Sequence, residues 1–446
     1  MIALQERVHG VRPPQEWSLN KLHHVFTVRK NNKNVGMLND NLLSLSYGRI
    51  INKSINTSEG LLPESFETYQ IVNPGDIVMR LTYLQNDKRS LRQGLVKEKG
   101  IITSAYDAIY PVKGHDSRYW AYALLAMDLA KYYYSLGGGV RQSIKFKDFP
   151  NDWIYTPLVK TQKEIADFLD HETDRIDQLI EKKRRMAELL LQKQDSVRES
   201  AVCKGLKTDI SFKDSAVDWF EKIPNHWNVC RFNRLIASKV DYRGRTPEKV
   251  DNGVFLVTAR NIRSGKIDYK RSQEYTTIDD WEKLSKRGIP EIGDVIFTTE
   301  APLGEVAQVD RRDVAFAQRI MKFQANQKLI SNDFLAELIM SASFQRSLQL
   351  YASGSTAAGI KSERMAHLFG LIPPFDEQAQ IVGFVRKEID RLRKIISVIE
   401  ASCERLREFR VSLITEALTG QLDIETWKKR GSTDNRLDKI EEAMRT

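Results

Sequence analysis

Residues 157–205 read PLVKTQKEIADFLDHETDRIDQLIEKKRRMAELLLQKQDSVRESAVCKG, and this stretch decides the fold because a similar one returns later. A shift of 216 positions brings it onto residues 373–420, PPFDEQAQIVGFVRKEIDRLRKIISVIEASCERLREFRVSLITEALTG. The matched residues include Pro157 and Pro373, Gln162 and Gln378, and Phe168 and Phe384. This period is far longer than that of a solenoid repeat. The sequence therefore predicts one unit that has been duplicated once.

Both copies of this stretch have the spacing of a coiled coil. Each begins at a proline, which the first turn of a helix tolerates. Apolar residues then follow at intervals of four and three, which is typical of a heptad seam, although Glu172, Lys183 and Lys193 interrupt it in the first copy. In the first copy the predicted seam is Ile165, Leu169, Ile176, Leu179, Met186, Leu190 and Val197. In the second copy it is Ile381, Val385, Leu392, Ile395, Ile399, Leu406, Phe409 and Leu413.

Length and charge limit the class of protein. At 446 residues the chain is longer than one core usually serves, so two or more domains are expected. A net charge of +10 favours a polyanionic partner. Three cysteines far apart, with no CxxC pair, exclude a disulfide framework and a thiolate zinc site. With no signal-peptide core and no apolar run of membrane-spanning length, the sequence predicts a cytoplasmic protein.

Two variable blocks, residues 1–156 and 208–372, precede the two predicted helices and share a plan. Each opens with a Pro-x-x-Trp motif, PQEW in the first block and PNHW in the second. Each contains a strand-like segment with a Gly-Asp pair, NPGDIVM and EIGDVIF, and each ends in a glycine-containing turn. The polar residues 421–446 predict a loosely held helical end or a disordered tail.

Catalytic motifs are not found, so we predict no catalytic residue and no metal ligand. The tetrapeptide Ile372-Pro373-Pro374-Phe375 is similar to one in DNA amino-methyltransferases, but Ile372 lacks the side-chain acceptor that such enzymes need. No Walker loop and no glycine-rich S-adenosylmethionine loop occur, and the histidines form no HxH or HExxH pattern. The triplet Glu181-Lys182-Lys183 lies in the middle of a predicted helix, where a solvated face is the simpler interpretation.

What remains is chemistry suited to DNA recognition. Arg, Lys, Asn, Gln, Thr and Tyr side chains hold phosphates and read base edges, and they cluster after strand-like segments and in the glycine turns. An ordinary charged surface loop is the alternative for each cluster. In the first block the candidates are Arg80, Thr82, Tyr83, Gln85, Asn86, Lys88, Arg89, Arg92, Arg141, Gln142 and Lys145. In the second they are Thr258, Arg260, Asn261, Arg263, Thr298, Thr299, Arg319, Ser355, Thr356 and Lys361.

The duplicated plan resembles the specificity subunit of type I restriction–modification systems. The resemblance covers essentially the whole chain, and its most specific parts are PPFDEQAQIVGFV, with its partner PLVKTQKEIADFL, and the helix ends SAVCKGL and EALTGQLD. Two further segments, GDIVMRLTYLQNDKRSLR and GDVIFTTEAPLGEVAQV, look like parts of target recognition domains. One departure is that the first copy lacks the Glu of the PP-x-x-EQ pattern.

The resemblance implies an α+β fold. Two globular mixed α/β target recognition domains (1–156 and 208–372) would be related by pseudo-two-fold symmetry. Two long antiparallel coiled-coil spacer helices (157–207 and 373–420) would separate them, ahead of a polar tail (421–446). Each domain would read one half of a bipartite, asymmetric double-stranded DNA target.

The resemblance also implies partners. Two modification (methyltransferase) subunits and ATP-dependent restriction subunits would assemble on the chain, which itself would be non-catalytic and bind no cofactor. S-adenosylmethionine, ATP and Mg²⁺ would belong to those partners. Two alternatives remain open: a coiled-coil assembly protein without a DNA role, and a single-chain methyltransferase or nuclease.

Overall fold

A computed structural model describes residues 2–442 except 56–62, 64, 85–90, 137–142, 243–246, 355–357 and 430. Contacts divide the chain into two compact units, and each is described by itself. Unit 1 comprises residues 1–184 and 398–446, and unit 2 comprises residues 185–397. Each unit thus contains one of the two variable blocks together with a part of each long helix.

The first block contains short strands and four helices among its described residues. The helices are α1 (Leu4–His9), α2 (Leu22–Val25), α3 (Ser117–Leu129) and α4 (Tyr132–Leu136). The strands are β1 (Ser18–Lys21), β2 (Phe26–Val28), β3 (Leu42–Ser46), β4 (Arg49–Lys53), β5 (Gln70–Val72), β6 (Ile77–Met79), β7 (Gln93–Leu95), β8 (Gly100–Ile102), β9 (Asp107–Pro111) and β10 (Trp153–Thr156). They form sheets of order β2-β9-β6-β7 and β4-β3-β8-β5, and β1 pairs with β10. Helix α5 (Val159–Lys204) follows.

The second block repeats this arrangement with more strands. Its helices are α6 (Phe232–Leu235), α7 (Ile278–Ser285), α8 (Asn332–Met340) and α9 (Ala342–Tyr351). Its strands are β11 (Phe212–Asp214), β12 (Lys222–Pro224), β13 (Asn228–Arg231), β14 (Ile236–Asp241), β15 (Lys249–Val250), β16 (Val254–Val257), β17 (Ile262–Arg263), β18 (Lys266–Ile267), β19 (Tyr275–Thr276), β20 (Val295–Thr298), β21 (Val306–Gln308), β22 (Val314–Phe316), β23 (Ile320–Ala325) and β24 (Phe369–Ile372). They form sheets of order β14-β23-β20-β21 and β15-β19-β16-β22 and the pairs β11-β12, β13-β24 and β17-β18. Helix α10 (Phe375–Leu418) follows.

The two blocks share the main part of their topology, while their second four-stranded sheets differ in strand order. In each block, the strand that follows the Pro-x-x-Trp motif pairs antiparallel with the strand before the long helix. These pairs are β1–β10 in the first block and β13–β24 in the second. The sheet β2-β9-β6-β7 corresponds to β14-β23-β20-β21, with the Gly-Asp strand in the third position of each. Buried side chains such as Val78, Trp120, Phe297 and Phe334 fill the interiors of the blocks. The predicted class of two mixed α/β domains with two long helices is confirmed.

The seam residues of α10 are covered more completely than those of α5. All eight predicted α10 residues are buried or half-buried, and Leu406 and Leu413 are fully buried. In α5, Ile165, Leu169 and Ile176 are buried, whereas Leu179, Leu190 and Val197 are half-buried. Met186 is 51% exposed, so its prediction as a seam residue is corrected.

The physical reason is that heptad spacing predicts which side chains share a helix face, whereas burial needs a neighbour on that face. None of residues 181–193 is buried, and Ile180, not Leu179, is buried at the last covered turn before them.

The described part of the C-terminal tail is helical, which is one of the two predicted alternatives, but its helices contact α5 and are not loosely held. It forms α11 (Ile424–Lys429) and α12 (Ser432–Glu442) within unit 1. The ring of Trp427 packs edge-on against Phe168, with 6.3 Å between ring centroids. Asp434 and Glu441 make ion pairs with α5, to Arg175 and Lys183 respectively. The half-buried ring of Trp427, packed on the buried Phe168, and the two ion pairs together dock the tail.

Candidate nucleic-acid interface

The Gly-Asp pair is a structural turn that starts the central strand of each block. Asp76 accepts a hydrogen bond from the backbone N–H of Asn73 at 2.8 Å and pairs with Arg29 at 2.8 Å. Asp294 accepts the N–H of Glu291 at 3.0 Å and pairs with the ammonium of Lys322 at 2.6 Å. Both carboxylates are buried. These aspartates therefore hold the strand in place and are not available to DNA.

The end of this strand meets the end of the glycine turn in both blocks. In the first block the N–H of Ile144 donates to the carbonyl of Leu81 at 2.9 Å. In the second block the N–H of Ile360 donates to the carbonyl of Thr299 at 3.0 Å. Because the same bond occurs twice, segments some 60 residues apart in sequence form one surface junction in each block.

Around the first junction, the exposed predicted residues are Tyr83 and Lys145. Arg80 and Thr82 are half-buried beside them. Tyr83 has a positive φ of 54°, which turns the chain after the strand and directs the ring outward, where it is 51% exposed. An exposed aromatic ring next to lysine and arginine suits stacking and phosphate contacts.

Around the second junction lies a basic group that we call the Lys361 patch, comprising Lys239, Arg319 and Lys361. Lys361 is exposed and follows Ile360. The N–H of Thr299 donates to the carbonyl of Arg319 at 2.8 Å, which brings Arg319 to the same junction. The guanidinium of Arg319 pairs with Glu300 at 2.7 Å. The ammonium of Lys239 donates to the hydroxyl of Ser362 at 2.6 Å.

A second predicted loop of this block lies after β16. Here Asn261 closes a turn, accepting from the N–H of Thr258 at 2.9 Å and donating to the carbonyls of Asp268 and Ser272 at 2.9 and 2.8 Å. Thr258 donates its hydroxyl to the same Asn261 oxygen. The turn leaves Arg260 and Arg263 exposed. Thus two of the four predicted residues shape the loop and the other two are available on its surface.

Four predicted contact residues are buried, which corrects their assignment to DNA. They are Arg92, Asn261, Thr298 and Thr299, none more than 1% exposed. Arg92 donates to the carbonyl of Thr82 at 2.9 Å, and its guanidinium lies over the ring of Tyr134. Arg92, Asn261 and Thr298 make hydrogen bonds inside the domain. Because all four side chains are buried, they cannot contact a ligand in this conformation. The predicted residues Gln85, Asn86, Lys88, Arg89, Arg141, Gln142, Ser355 and Thr356 lie outside the described residues.

Sequence reasoning missed two lysines of this surface. Lys239 is on β14, and Lys266 is exposed opposite Arg263 in the β17–β18 hairpin. Lys239 is an exposed cation in the strand segment IASKVD, where the neighbouring Val240 is buried. Residues 237–239 are all exposed, so no alternating pattern singles out Lys239, and its proximity to Lys361 depends on the fold.

Each long helix carries a buried glutamine in its first turn that binds the preceding block. The side-chain carbonyl of Gln162 accepts the N–H of Asp116 at 2.9 Å, and its amide donates to the carbonyl of Pro157 at 2.9 Å. The carbonyl of Pro373 accepts in the same way from Gln378, at 2.8 Å. The motif Ile372-Pro373-Pro374-Phe375 therefore marks the start of a helix.

The Glu of the second copy anchors the opening motif of its block. The carboxylate of Glu377 accepts the indole N–H of Trp227 at 2.9 Å and lies 2.9 Å from Lys207. Burial raises the pKa of Glu377, but the hydrogen bonds from Trp227, Lys207 and His226 outweigh it, so the pKa lies below its ordinary value. Thr161 occupies the corresponding position of the first copy, so the first copy has no carboxylate at this place to bind its opening motif.

Other kinds of site were searched for in the part of the chain that the structure describes. No three His, Cys, Asp or Glu side chains there are grouped so as to hold a metal ion. Over the same residues, no helix combines the length and apolar character that crossing a membrane requires. The thiols of Cys203, Cys230 and Cys403 are free.

Fold and surface together define a class: a duplicated chain whose two mixed α/β blocks each present a junction of polar loops and are each tied to the start of a long helix. Residues 240–401 match the family model of the type I restriction modification DNA specificity domain. This match confirms the predicted resemblance over most of the second block and the first part of α10, which are similar to that specificity domain. A search of curated proteins finds no match.

One of the solved structures that align with this chain, the first described here, shows the same fold. A chain from a structure of the complex assembly and conformational transition of the type I R-M system aligns with a TM-score of 0.67 at 12% identity, covering 92% of this chain and all of that one. The HsdS subunit from Thermoanaerobacter tengcongensis aligns with a TM-score of 0.46 at 12% identity, over 92% of this chain and 98% of that one. The type I S subunit from M. genitalium gives 0.35 at 12% identity, over 94% and 99%.

Proposed function

We propose that this chain reads a bipartite, asymmetric DNA target for a type I restriction–modification complex, with one half-site for each block. One observation carries the proposal. The same junction occurs in both blocks with a lysine at the equivalent position, Lys145 or Lys361, yet Tyr83 is exposed beside it in one block and Arg319 in the other. A common frame with different side chains is what two different half-sites require, because base edges are distinguished by side-chain chemistry.

We propose that the reaction chemistry belongs to partner subunits. The chain would act without a catalytic residue or a cofactor of its own, docking two methyltransferase subunits that carry S-adenosylmethionine. Restriction subunits that use ATP and Mg²⁺ would join them. The long helices α5 and α10 would set the spacing between the half-sites. The three free cysteines support a reducing compartment, so we expect the complex in the cytoplasm.

Mapping methylated adenines in genomic DNA tests this function. Sites that depend on the chain should disappear when it is deleted and return when it is restored. Replacing residues 208–372 with the block of another specificity subunit should change one half-site and leave the other intact. If both half-sites changed, or if methylation did not depend on the chain, the proposal would be wrong.

Binding measurements with the chain and its methyltransferase partner address the Lys361 patch. Lys361→Ala should weaken binding of target DNA and lower the slope of log affinity against log salt by about 1, because one phosphate contact is lost. Lys328→Ala is the matched control, since Lys328 is an exposed lysine of the same block on a different loop. If Lys361→Ala and Lys328→Ala changed DNA binding equally, the Lys361 patch would not be part of the DNA interface.

The two alternatives make different predictions. A coiled-coil assembly protein without a DNA role would show no salt-dependent retention of DNA when bound to its partner. A single-chain methyltransferase would transfer labelled methyl groups from S-adenosylmethionine to DNA with no other subunit present. We expect salt-dependent retention and no transfer by the isolated chain.

A further inference from the structure

An ion pair joins the first block to the start of α5. Arg118, in the first turn of α3, lies 2.9 Å from Asp170 and 2.7 Å from Asp167, both on α5. Asp116, the N-cap of α3, also contacts Arg118, at 3.2 Å. The side chains of Arg118 and Asp170 are 37% and 42% exposed, so the pair lies at the edge of the contact between block and helix.

The equivalent pair in the second block has the opposite polarity. Asp333, in the first turn of α8, lies 2.9 Å from Arg386 on α10. Asp333 comes two residues after the N-cap Ser331, as Arg118 comes two residues after Asp116. Arg386 follows Gln378 by eight residues, as Asp170 follows Gln162. Both partners of the contact have therefore exchanged charge between the two copies.

At a second position on the same helix face, the helix residue again changes sign between the copies. Asp177 of α5 pairs with Arg49 of the first block at 3.0 Å and with Arg410 of α10 at 3.1 Å. A shift of 216 positions from Asp177 leads to Arg393 of α10, which donates to the backbone carbonyl of Ser264 in the second block at 2.6 Å. The α5 face thus offers anions to its block, and the α10 face offers cations.

Coupled change distinguishes this pattern from drift of exposed charges. If each residue had varied independently, like charges would face each other as often as opposite ones, and like-charge contacts are unfavourable. Here each block keeps an attractive contact although all four charges differ from their counterparts. Specificity between similar surfaces is commonly built in this way, by attraction to the right partner and repulsion of the wrong one.

We propose that the starts of α5 and α10 are docking surfaces of opposite polarity, each of which accepts only its own recognition block. The start of α5 fits a block that presents a cation in the first turn of its contacting helix, as α3 does. The start of α10 fits a block that presents an anion there, as α8 does. The first block on α10 would set Arg118 against Arg386. The second block on α5 would set Asp333 against Asp170. If the proposed DNA function holds, this polarity fixes which half-site each position reads.

Charge-reversal cycles in the full chain test the pairs directly. Arg118→Asp and Asp170→Arg should each lower the equilibrium constant for folding by about fivefold at low salt, because attraction becomes repulsion. The double variant should recover part of the loss caused by Arg118→Asp, because the new pair attracts although Asp116 and Asp167 still face the new aspartate. Asp333→Arg, Arg386→Asp and their double should behave alike. The single losses should shrink in 0.5 M salt, where the Debye length falls to about 4–5 Å.

Asp174→Arg is the matched control, because Asp174 is an exposed aspartate on the same segment of α5, four residues from Asp170. It makes the same change of charge without facing Arg118. Urea unfolding at two salt concentrations provides the measurement. Doubles no more stable than the worse single, or losses independent of salt, would overturn the proposal even if the DNA function were confirmed.

A chimeric chain with two copies of the second block extends the test to a whole block. In this chimera, residues 208–372 replace the first block ahead of α5 and also remain in their own position. We expect this chimera to unfold at lower urea than the parent, and Asp170→Arg within it to raise the midpoint again. The charge cycles remain decisive if the chimera does not fold. A folded chimera that Asp170→Arg destabilises would contradict the polarity rule.

Discussion

The side-chain carbonyl of Gln378 accepts the backbone N–H of Ser331, the N-cap of α8, at 2.9 Å. Gln162 and Asp116, the N-cap of α3, make the same bond at 2.9 Å in the other unit. The side-chain amide of each glutamine also donates a hydrogen bond to the carbonyl of the proline just before its helix. A single buried amide thus fixes the helix start to the recognition block.

Gln378→Leu should therefore destabilise unit 2. The change leaves the N–H of Ser331 and the carbonyls of Leu329 and Pro373 without the partner they have now. Each buried group left unpaired costs about 1–3 kcal/mol, so we expect a loss of roughly 2–4 kcal/mol in unfolding free energy. Urea denaturation measures it, with exposed Gln380→Leu as the control. Equal midpoints for the two variants would refute the role of the amide.

Lys322 and Asp294 form a buried ion pair in which both side chains are at most 3% exposed. Lys322→Met should cost about 3–5 kcal/mol, because it leaves the Asp294 carboxylate buried and unpaired. The double variant Lys322→Met/Asp294→Asn should recover part of that loss, since the buried charge is gone. Thermal and urea unfolding of the three proteins provide the measurement. A double variant as unstable as the single would show that packing, not the charge, dominates.

Trp427→Ala should release the C-terminal helices from unit 1. The indole covers Phe168, and its N–H donates to the hydroxyl of Thr433 at 2.8 Å. Limited proteolysis should cut the variant after Gly420 faster than the parent, while the rest of the chain stays intact.

Phe168→Ala should have the same effect on the tail. Phe384, its counterpart in the second copy, is 41% exposed, so Phe384→Ala serves as the control and should not change the cleavage. Unchanged proteolysis of the Trp427 variant would mean that the ion pairs alone hold the tail.

The Asp333–Arg386 pair should make stability depend on pH. Burial raises the pKa of Asp333, but hydrogen bonds from Gln308 and Arg386 outweigh it and hold the pKa below its ordinary value of 3.8. A lowered folded pKa means stabilisation that is present above 3.8 and is lost as the pH falls through the folded value. The difference in urea midpoint between the parent and Asp333→Asn should thus be constant near neutrality and shrink below about pH 4. A difference in urea midpoint that is as large at pH 3 as at pH 7 would contradict this assignment.

Much of the architecture follows from local patterns in the sequence. The repeat from Pro157 to Gly205 predicts both long helices within three residues of their ends, because proline and glycine limit a helix through backbone geometry alone. The candidate site was less predictable. Lys145 and Tyr83 are exposed as expected, but Arg92 and Thr298 have the same kind of side chain and are buried. Residue type shows what a side chain can bind, whereas burial depends on distant partners.

The sequence by itself determined the duplication, the helices, the Gly-Asp turns and the family resemblance. Each of these depends on spacing along the chain or on short-range backbone preferences. Only the tertiary structure decided that Met186 is exposed, that Trp427 docks the tail and that Lys239 joins Lys361. It alone also paired Arg118 with Asp170 and Asp333 with Arg386. Ion pairs and burial arise between segments far apart in sequence, so their energies are set by distances that the fold creates.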